Sequence, residues 1–335
     1  MKHSITIVDV AHGNCAVLED GDKVVVFDAA SGSSLLQYLE KQNLTAVDAV
    51  FVSHSDEDHI SGLIALLASG RVDVNQVHLN PDAAKDSRIW GDLITLLDQV
   101  HCEGKTQVFT SIVSGCVERE NLETAVIEIL SPSRNLALRG AGARDDEKRK
   151  ITSNSMSAVF RVLWNDRPIV LLCGDMDRIT LKDMVRHRCD LVCDFLVFPH
   201  HGGNPGVTSE AGILKFVEEL CRSANAKTVV FSNGRGKHDN PRPAVIAGVR
   251  QFTNGAEVMC TQLSNRCSSD TPFADSHLSE RFSAGAEKKA CCSGSVTIDL
   301  STSQVSRPVR TAHLEFIKGL PSPLCVPIVP RLSGA

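Results

Sequence analysis

The sequence contains no apolar run approaching the roughly 18 residues that a membrane span requires. Its opening, MKHSITIVDVAHGN, is interrupted by Asp9 and His12 before any apolar stretch of signal-peptide length develops. Positive charge is not in excess: 35 Lys and Arg against 40 Asp and Glu leave a net charge of −5. Attachment to nucleic acid or to a membrane surface by bulk charge is thereby excluded, and any such contact must be local. The phosphate-cradling fingerprints G-x-G-x-x-G and G-x-x-x-x-G-K-S/T are missing, as is the G-x-S-x-G nucleophile elbow. No repeat of fixed period occurs. Twelve cysteines are present without one C-x-x-C pair, and most sit in apolar text such as IVLLCGD around Cys173. Cys189 and Cys193 are four apart and Cys291 and Cys292 adjacent, spacings that do not suit a zinc knot. The thiols read as small buried hydrophobes rather than as disulfide staples. On these absences the expectation is a soluble, cytoplasmic protein with no membrane partner.

What is present is globular text: 335 residues, 42% hydrophobic and 22% charged, enough chain to bury about three quarters of its unfolded surface. ITIVDV, CAVLED and KVVVFDA are β-branched runs broken by Gly13–Asn14 and Asp20–Gly21, which predicts a meander. Helical spacing follows in SSLLQYLEKQ, over Ile60–Ala68 and over Arg88–Val100, alternating with the strands VDAVFVSH and VNQVHLN. Residues 131–154 read as a loop, with Pro132, Gly140, Gly142 and the charged RDDEKRK. A second series begins with SMSAVFRVLW and PIVLLCGD and alternates strands with helices near Leu181–His187, Gly212–Cys221 and Pro243–Phe252. Residues 264–294 look like an inserted loop, SVTIDL like a last strand, and 303–335 like a proline-bearing terminal tail. Two β-rich series that each carry helices predict an α/β fold with two sheets face to face and helices outside.

The segment SHSDEDHISG dominates the functional reading. His54, Asp56, Asp58 and His59 fall within six positions, after a buried strand and before a helix. Crowded carboxylates at a half-buried turn repel one another and resist desolvation unless a positive charge neutralises them. A divalent cation does so economically. The plain alternative is a solvated acidic turn in which Ser55 and Asp56 cap the helix.

His-x-Asp-x-Asp-His followed by a small residue and Gly resembles the metal motif of the metallo-β-lactamase fold. Asp in the second slot resembles the domain found in ComEC-type competence proteins. VDVAHGNCAVL from Val8, LLCGDMD from Leu171, FPHHGG from Phe198 and FSNGRGKHDNPRPAVI are similar in order and spacing to later elements of that domain, so the resemblance covers about residues 4–302. It implies an αββα four-layer sandwich over 1–302 holding two divalent ions. His54, Asp56, Asp58, His59 and Asp175 are the implied ligands, completed by one of His200 and His201, between which the sequence does not choose. Asp58, His59, Asp175 and His201 would carry catalysis. Asp9 is expected to orient a ligand, and Asn154 stands where the wider fold often has a histidine ligand. The competence proteins are membrane channels carrying this domain, and this chain has no such segment.

The resemblance implies hydrolysis by water activated between two ions about 3.5–4 Å apart, with no serine or cysteine nucleophile. Asp56 and Asn154 make the donor set rich in oxygen, which favours Mn²⁺ or Mg²⁺, with Zn²⁺ also compatible. Phosphodiesters, nucleic acid first, are the expected substrates. Arg235, Lys237, His238, Asn154 and His12 are the candidate substrate-binding residues, and Arg144, Lys148, Arg149 and Lys150 add local charge before Asn154. Hydrolysis of cyclic nucleotides, lactones or thioesters, or a metal-retaining subunit without catalysis, are the alternatives. The terminal tail, with CVPIVP, is a candidate site for a protein partner.

Overall fold

A computed structural model of the chain describes residues 2–30, 32–118, 122–236, 238–272 and 282–326. The N-terminal β-branched runs form β1 (Lys2–Ile7), β2 (Ala16–Gly21) and β3 (Lys23–Phe27), paired antiparallel. Parallel strands β4 (Ala46–Phe51), β5 (Asp73–His78) and β6 (Gln107–Phe109) extend this sheet. Their connections carry α1 (Ser34–Lys41), α2 (Glu57–Ser69) and α3 (Arg88–Cys102), since parallel neighbours require a crossover. The second sheet begins with antiparallel β7 (Val117–Glu118), β8 (Ala125–Ser131), β9 (Val159–Trp164) and β10 (Arg167–Leu172). The short helix α4 (Arg134–Arg139) lies between β8 and β9. Parallel β11 (Phe195–Val197), β12 (Thr228–Phe231) and β13 (Glu257–Cys260) follow, with α5 (Arg178–Arg186), α6 (Glu210–Ala224) and α7 (Pro243–Phe252) between them. After α8 (Ala284–Glu287), β14 (Val296–Asp299) and β15 (Gln304–Val305) return to the first sheet, and α9 (Arg307–Lys318) closes the described chain. Among the described residues the strand orders are β15-β14-β1-β2-β3-β4-β5-β6 and β13-β12-β11-β10-β9-β8-β7.

Three apolar clusters separate four layers, the αββα sandwich. One lies between the sheets, where Phe27, Phe51 and Phe160 meet with ring centroids 5.1 to 5.8 Å apart. A second joins α1, α2 and α3 to the first sheet, and a third joins α5, α6, α7 and α9 to the second. With both faces covered, central strands such as KVVVF are apolar on both sides: Val25 and Phe27 enter the inter-sheet core, Val24 and Val26 the helix side. No helix among the described residues is long and apolar enough to cross a membrane.

The structure differs from the sequence reading in several details. α4 sits inside the expected 131–154 loop, capped by the Ser133 hydroxyl, which accepts from the Leu136 N–H; six residues are too few to show a period. β6, β7 and β8 have no counterpart among the expected strands, and α8 lies inside the expected 264–294 loop. The segment after Thr302 opens as β15 and α9 rather than as a loose tail, because Ile317 and Leu320 bury against the helices of the second sheet. Residues 327–335, including most of the apolar part of that segment, lie outside the described residues.

A buried carboxylate ties the first sheet to the start of β8. Asp20 Oδ2 accepts from the backbone N–H groups of Glu123, Thr124 and Ala125 at 2.8, 2.7 and 2.9 Å, while Oδ1 pairs with His3 Nδ1 at 2.8 Å. Burial opposes its ionisation, but these donors outweigh burial and hold the carboxyl below its usual range. Asp20→Ala would leave three donors unsatisfied and is expected to cost about 3 kcal/mol in urea unfolding. Because the folded-state value is depressed, the stability from Asp20 is present above the unfolded value near pH 4 and is lost as pH falls through the folded value. The variant should therefore show a shallower acid decline.

Candidate metal centre

β4 ends under the loop that carries the motif. Asp56 takes the N-cap position of α2 with extended backbone (φ −75°, ψ 146°), yet its carboxylate makes no capping bond. The capping explanation for the acidic turn is thereby set aside for Asp56. α2 begins at Glu57, which places Asp58 and His59 in its first turn, where exposed N–H groups favour negative charge. From the second sheet, the turn after β10 brings in Asp175, whose N–H donates to the Ser157 hydroxyl at 3.0 Å. The turn after β11 brings in His200 and His201, both in the left-handed region at φ 53°. Two consecutive non-glycine residues there cost on the order of 1–2 kcal/mol each, strain of the kind that gathers at functional sites.

These elements converge. His59 Nε2 lies 3.2 Å and His201 Nε2 3.5 Å from Asp175 Oδ1, and His201 Nε2 lies 3.3 Å from Asp58 Oδ2. Two donors each bonded at about 2.1 Å to one tetrahedral ion lie roughly 3.4 Å apart, so the spacing suits a single cation. His59 Nε2, His201 Nε2 and Asp175 Oδ1 are buried without a hydrogen-bond partner among the described residues, as is His54 Nε2. Orphaned lone pairs at one point are what a cation would satisfy. The residues fit a metal.

The other ring nitrogens show how the lone pairs are aimed. His201 Nδ1 donates to the Ser232 carbonyl at 2.7 Å, and His59 Nδ1 donates to Asp28 Oδ2 at 2.8 Å. His54 Nδ1 contacts Ser53 Oγ at 3.0 Å, and Ser53 Oγ in turn donates to Asp28 Oδ2 at 2.8 Å. Each contact leaves Nε2 as the acceptor facing the site. Burial would disfavour charge on His59 and His201, but Asp175 with Asp28, and Asp175 with Asp58, raise both above the ordinary histidine value. Burial likewise opposes ionisation of Asp58 and Asp175, and the surrounding imidazoles hold both carboxyls well below the usual range.

A second group of donors borders the first. His54 Nε2 faces Asp56 Oδ2 at 3.6 Å, and the His54 and His59 ring centroids are 4.1 Å apart. His200, which sits at the edge with a third of its side chain exposed, has Nδ1 3.6 Å from Asp175 Oδ2 and 3.1 Å from Asn154 Nδ2. Between the two histidines, the structure therefore puts His201 in the cluster and His200 beside Asn154. His12 Nε2 reaches Asp58 Oδ2 at 3.1 Å, and its ring lies between those of His201 and His238, at 4.6 and 4.5 Å. A row of imidazoles thus leads from exposed His238 to the cluster.

Other sequence expectations are corrected. Asp9 orients no ligand: its carboxylate accepts from Gln262 Nε2, the Ser283 hydroxyl and the Gly285 N–H, and holds residues 283–285 beside the turn after β1. Asp28 takes the role expected of it. The only sequence trace of Asp28 is an acid ending a strand, KVVVFDA; Lys85, which pairs with Asp56, leaves none. Arg235 does not project to substrate, because its guanidinium donates to the carbonyls of Leu263, Ser268 and Ser269 at 2.8 to 3.0 Å. Arg235→Ala should lower the melting temperature by several degrees while leaving metal affinity unchanged. Gly234 packs against the His12 turn, where a Cβ would stand 2.5 Å from the His12 nitrogen. Lys237 lies outside the described residues. Of the basic residues before Asn154, Arg149 is paired with Asp145 and Glu147 of its own loop, and Arg144 donates to the Lys148 carbonyl.

Residues 8–216 match the profile of the Metallo-beta-lactamase superfamily. The chain belongs to that superfamily. No curated protein matches it. Among solved structures, it is similar to Igni18, a metallo hydrolase from Ignicoccus hospitalis, at 15% identity and TM-score 0.44, over 77% of this chain and 94% of that one. It is also similar to the metallo-β-lactamase fold protein YhfI from Bacillus subtilis, at 12% identity and TM-score 0.46, over 77% and 95%. The short form of human tRNase Z gives 13% identity and TM-score 0.42, over 69% and 92%. Superfamily membership together with the Asp58, His59, Asp175 and His201 cluster makes the chain a metal-dependent hydrolase of metallo-β-lactamase fold.

Proposed function

We propose that this superfamily member is a cytoplasmic phosphodiesterase that acts on nucleic acid and uses two divalent cations, with Mn²⁺ preferred. The observation that supports the substrate class is an open cleft of about 570 Å³ beside the row of imidazoles, lined by Thr208, Ser209, His238, Arg242 and Arg266 and also by the carboxylates of Glu210 and Asp239, the latter 3.7 Å from the Arg266 guanidinium. The Thr208 and Ser209 hydroxyls, His238 and Arg242 suit contacts to a phosphate, and His238 and His12 connect this cleft to Asp58. The closer resemblance of the motifs to ComEC-type domains supports the same class.

Asp58, His59, Asp175 and His201 would hold one cation, and His54, Asp56 and Asp175 the other. A cation bound there lowers the pKa of water and withdraws charge from a phosphoryl oxygen. The protein's own part is orientation. Asp28 and Ser232 aim His59 and His201, the His12 Nε2–H donates to Asp58, and burial keeps His12 and His200 neutral more readily than ordinary histidines. No serine or cysteine nucleophile is called for.

The reading is tested by assaying metal-loaded protein on bis-p-nitrophenyl phosphate and single-stranded DNA and RNA against nitrocefin and a thioester. Faster turnover of nitrocefin or the thioester would overturn the phosphodiester reading. The metal-stripped chain is expected to regain more activity with Mn²⁺ than with Zn²⁺, because Asp56 and Asn154 stand where imidazoles would favour zinc. Recovery with zinc alone would show that these two residues do not set the preference.

A further inference from the structure

The two donor groups at the centre differ in a way that the motif does not reveal. Asp58 and Asp175 contact only imidazoles, with no Lys or Arg paired to either among the described residues. Asp56 instead carries an ammonium: Lys85 Nζ stands 2.5 Å from its Oδ1. Lys85 is not a loose surface side chain. It lies in the loop between β5 and α3, where its N–H donates to the Asp82 carbonyl at 3.2 Å and its side chain is only 24% exposed. That loop is fastened on both sides of the centre. Asp82 Oδ2 accepts from the Ser55 hydroxyl of the motif turn at 2.5 Å and from the Ser153 hydroxyl beside Asn154 at 2.6 Å.

The other oxygen of Asp56 faces His54 Nε2 at 3.6 Å, and that nitrogen is buried with no hydrogen-bond partner. The second donor pair is therefore open toward a cation on one side and carries Lys85 on the other. We propose that Lys85 makes the two cation positions unequal: the ion at Asp58, His59, Asp175 and His201 is held firmly, and the ion at His54 and Asp56 is weak and exchangeable because the ammonium cancels the charge of Asp56. Asp58 and Asp175 offer a dication two negative charges. Asp56 with Lys85 adds none, so the second ion draws its charge balance from the shared Asp175. An ammonium held a few ångströms from a dication, partly out of solvent, changes its affinity on the order of 10- to 100-fold.

This inference rests on the two-cation reading above, and its test uses no substrate, so it can fail while the phosphodiesterase assignment stands, and the reverse. The metal-stripped full chain is dialysed against graded Mn²⁺, and bound metal per chain is measured. Wild type is expected to bind one ion at least tenfold more tightly than the second. Lys85→Met should tighten the second ion at least tenfold and leave the first unchanged. Lys85→Arg should behave as wild type. Asp56→Asn should lose the weaker ion alone, which assigns it to this side. Lys85→Gln, with an amide that still hydrogen-bonds Asp56 without charge, repeats the Met result in a background that preserves the loop contact. Two equally tight ions in wild type would overturn the proposal. So would an unchanged or weaker second ion in both neutral variants, which would make Lys85 a support for Asp56 instead.

Discussion

Asp175→Asn is expected to abolish tight metal binding and to lower hydrolysis by about 10³-fold or more, on the order of 4 kcal/mol of transition-state stabilisation. Asp175 Oδ1 lies between His59 Nε2 and His201 Nε2, and its Oδ2 faces His200, so it touches both donor groups. An amide can offer one neutral oxygen at most, and its NH₂ would donate to the Nε2 lone pairs that a cation needs. Metal per chain measured after dialysis should fall for both positions together. Retention of one tightly bound ion with near-normal turnover would place the essential carboxylate elsewhere. Circular dichroism should be unchanged, since the residue lies in a turn and not in a strand.

Asp28→Asn should weaken the tighter ion by about 10- to 100-fold, although Asp28 itself would not contact the metal. Its Oδ2 accepts from His59 Nδ1 and from Ser53 Oγ, and its Oδ1 accepts from the Ser53 N–H at 2.7 Å. An amide nitrogen at the Oδ2 position would donate toward His59 Nδ1, moving the ring proton to Nε2 and removing the lone pair that faces the site. The measurement is the Mn²⁺ dissociation constant alongside the melting temperature. A lower melting temperature with an unchanged dissociation constant would reduce Asp28 to a structural role.

The turn SHSDEDHISG was legible because its donors are neighbours in the chain: a strand end and a first helical turn must place His54, Asp56, Asp58 and His59 together whatever surrounds them. Asp175 and His201 were legible only through resemblance, since no local spacing links residue 59 to residue 201. Asp28 was missed because its role depends on β3 pairing with β4, which lays its carboxylate beside Ser53 and His59. A guanidinium in a glycine-rich turn shows its charge in sequence, but not the carbonyls of residues 263–269 that occupy Arg235.

Sequence alone determined the two-series α/β architecture, the metal-binding turn and the acid–imidazole chemistry, because period and adjacency dictate which side chains share a face or a turn. Tertiary structure decided the rest. The left-handed backbone at residues 200 and 201 puts His201 in the cluster and His200 at its edge, the strand order sets Asp28 behind His59, and a loop fastened through Asp82 brings an ammonium onto Asp56. Each depends on contacts between segments tens to hundreds of residues apart, and such contacts are set by packing, which no local pattern encodes.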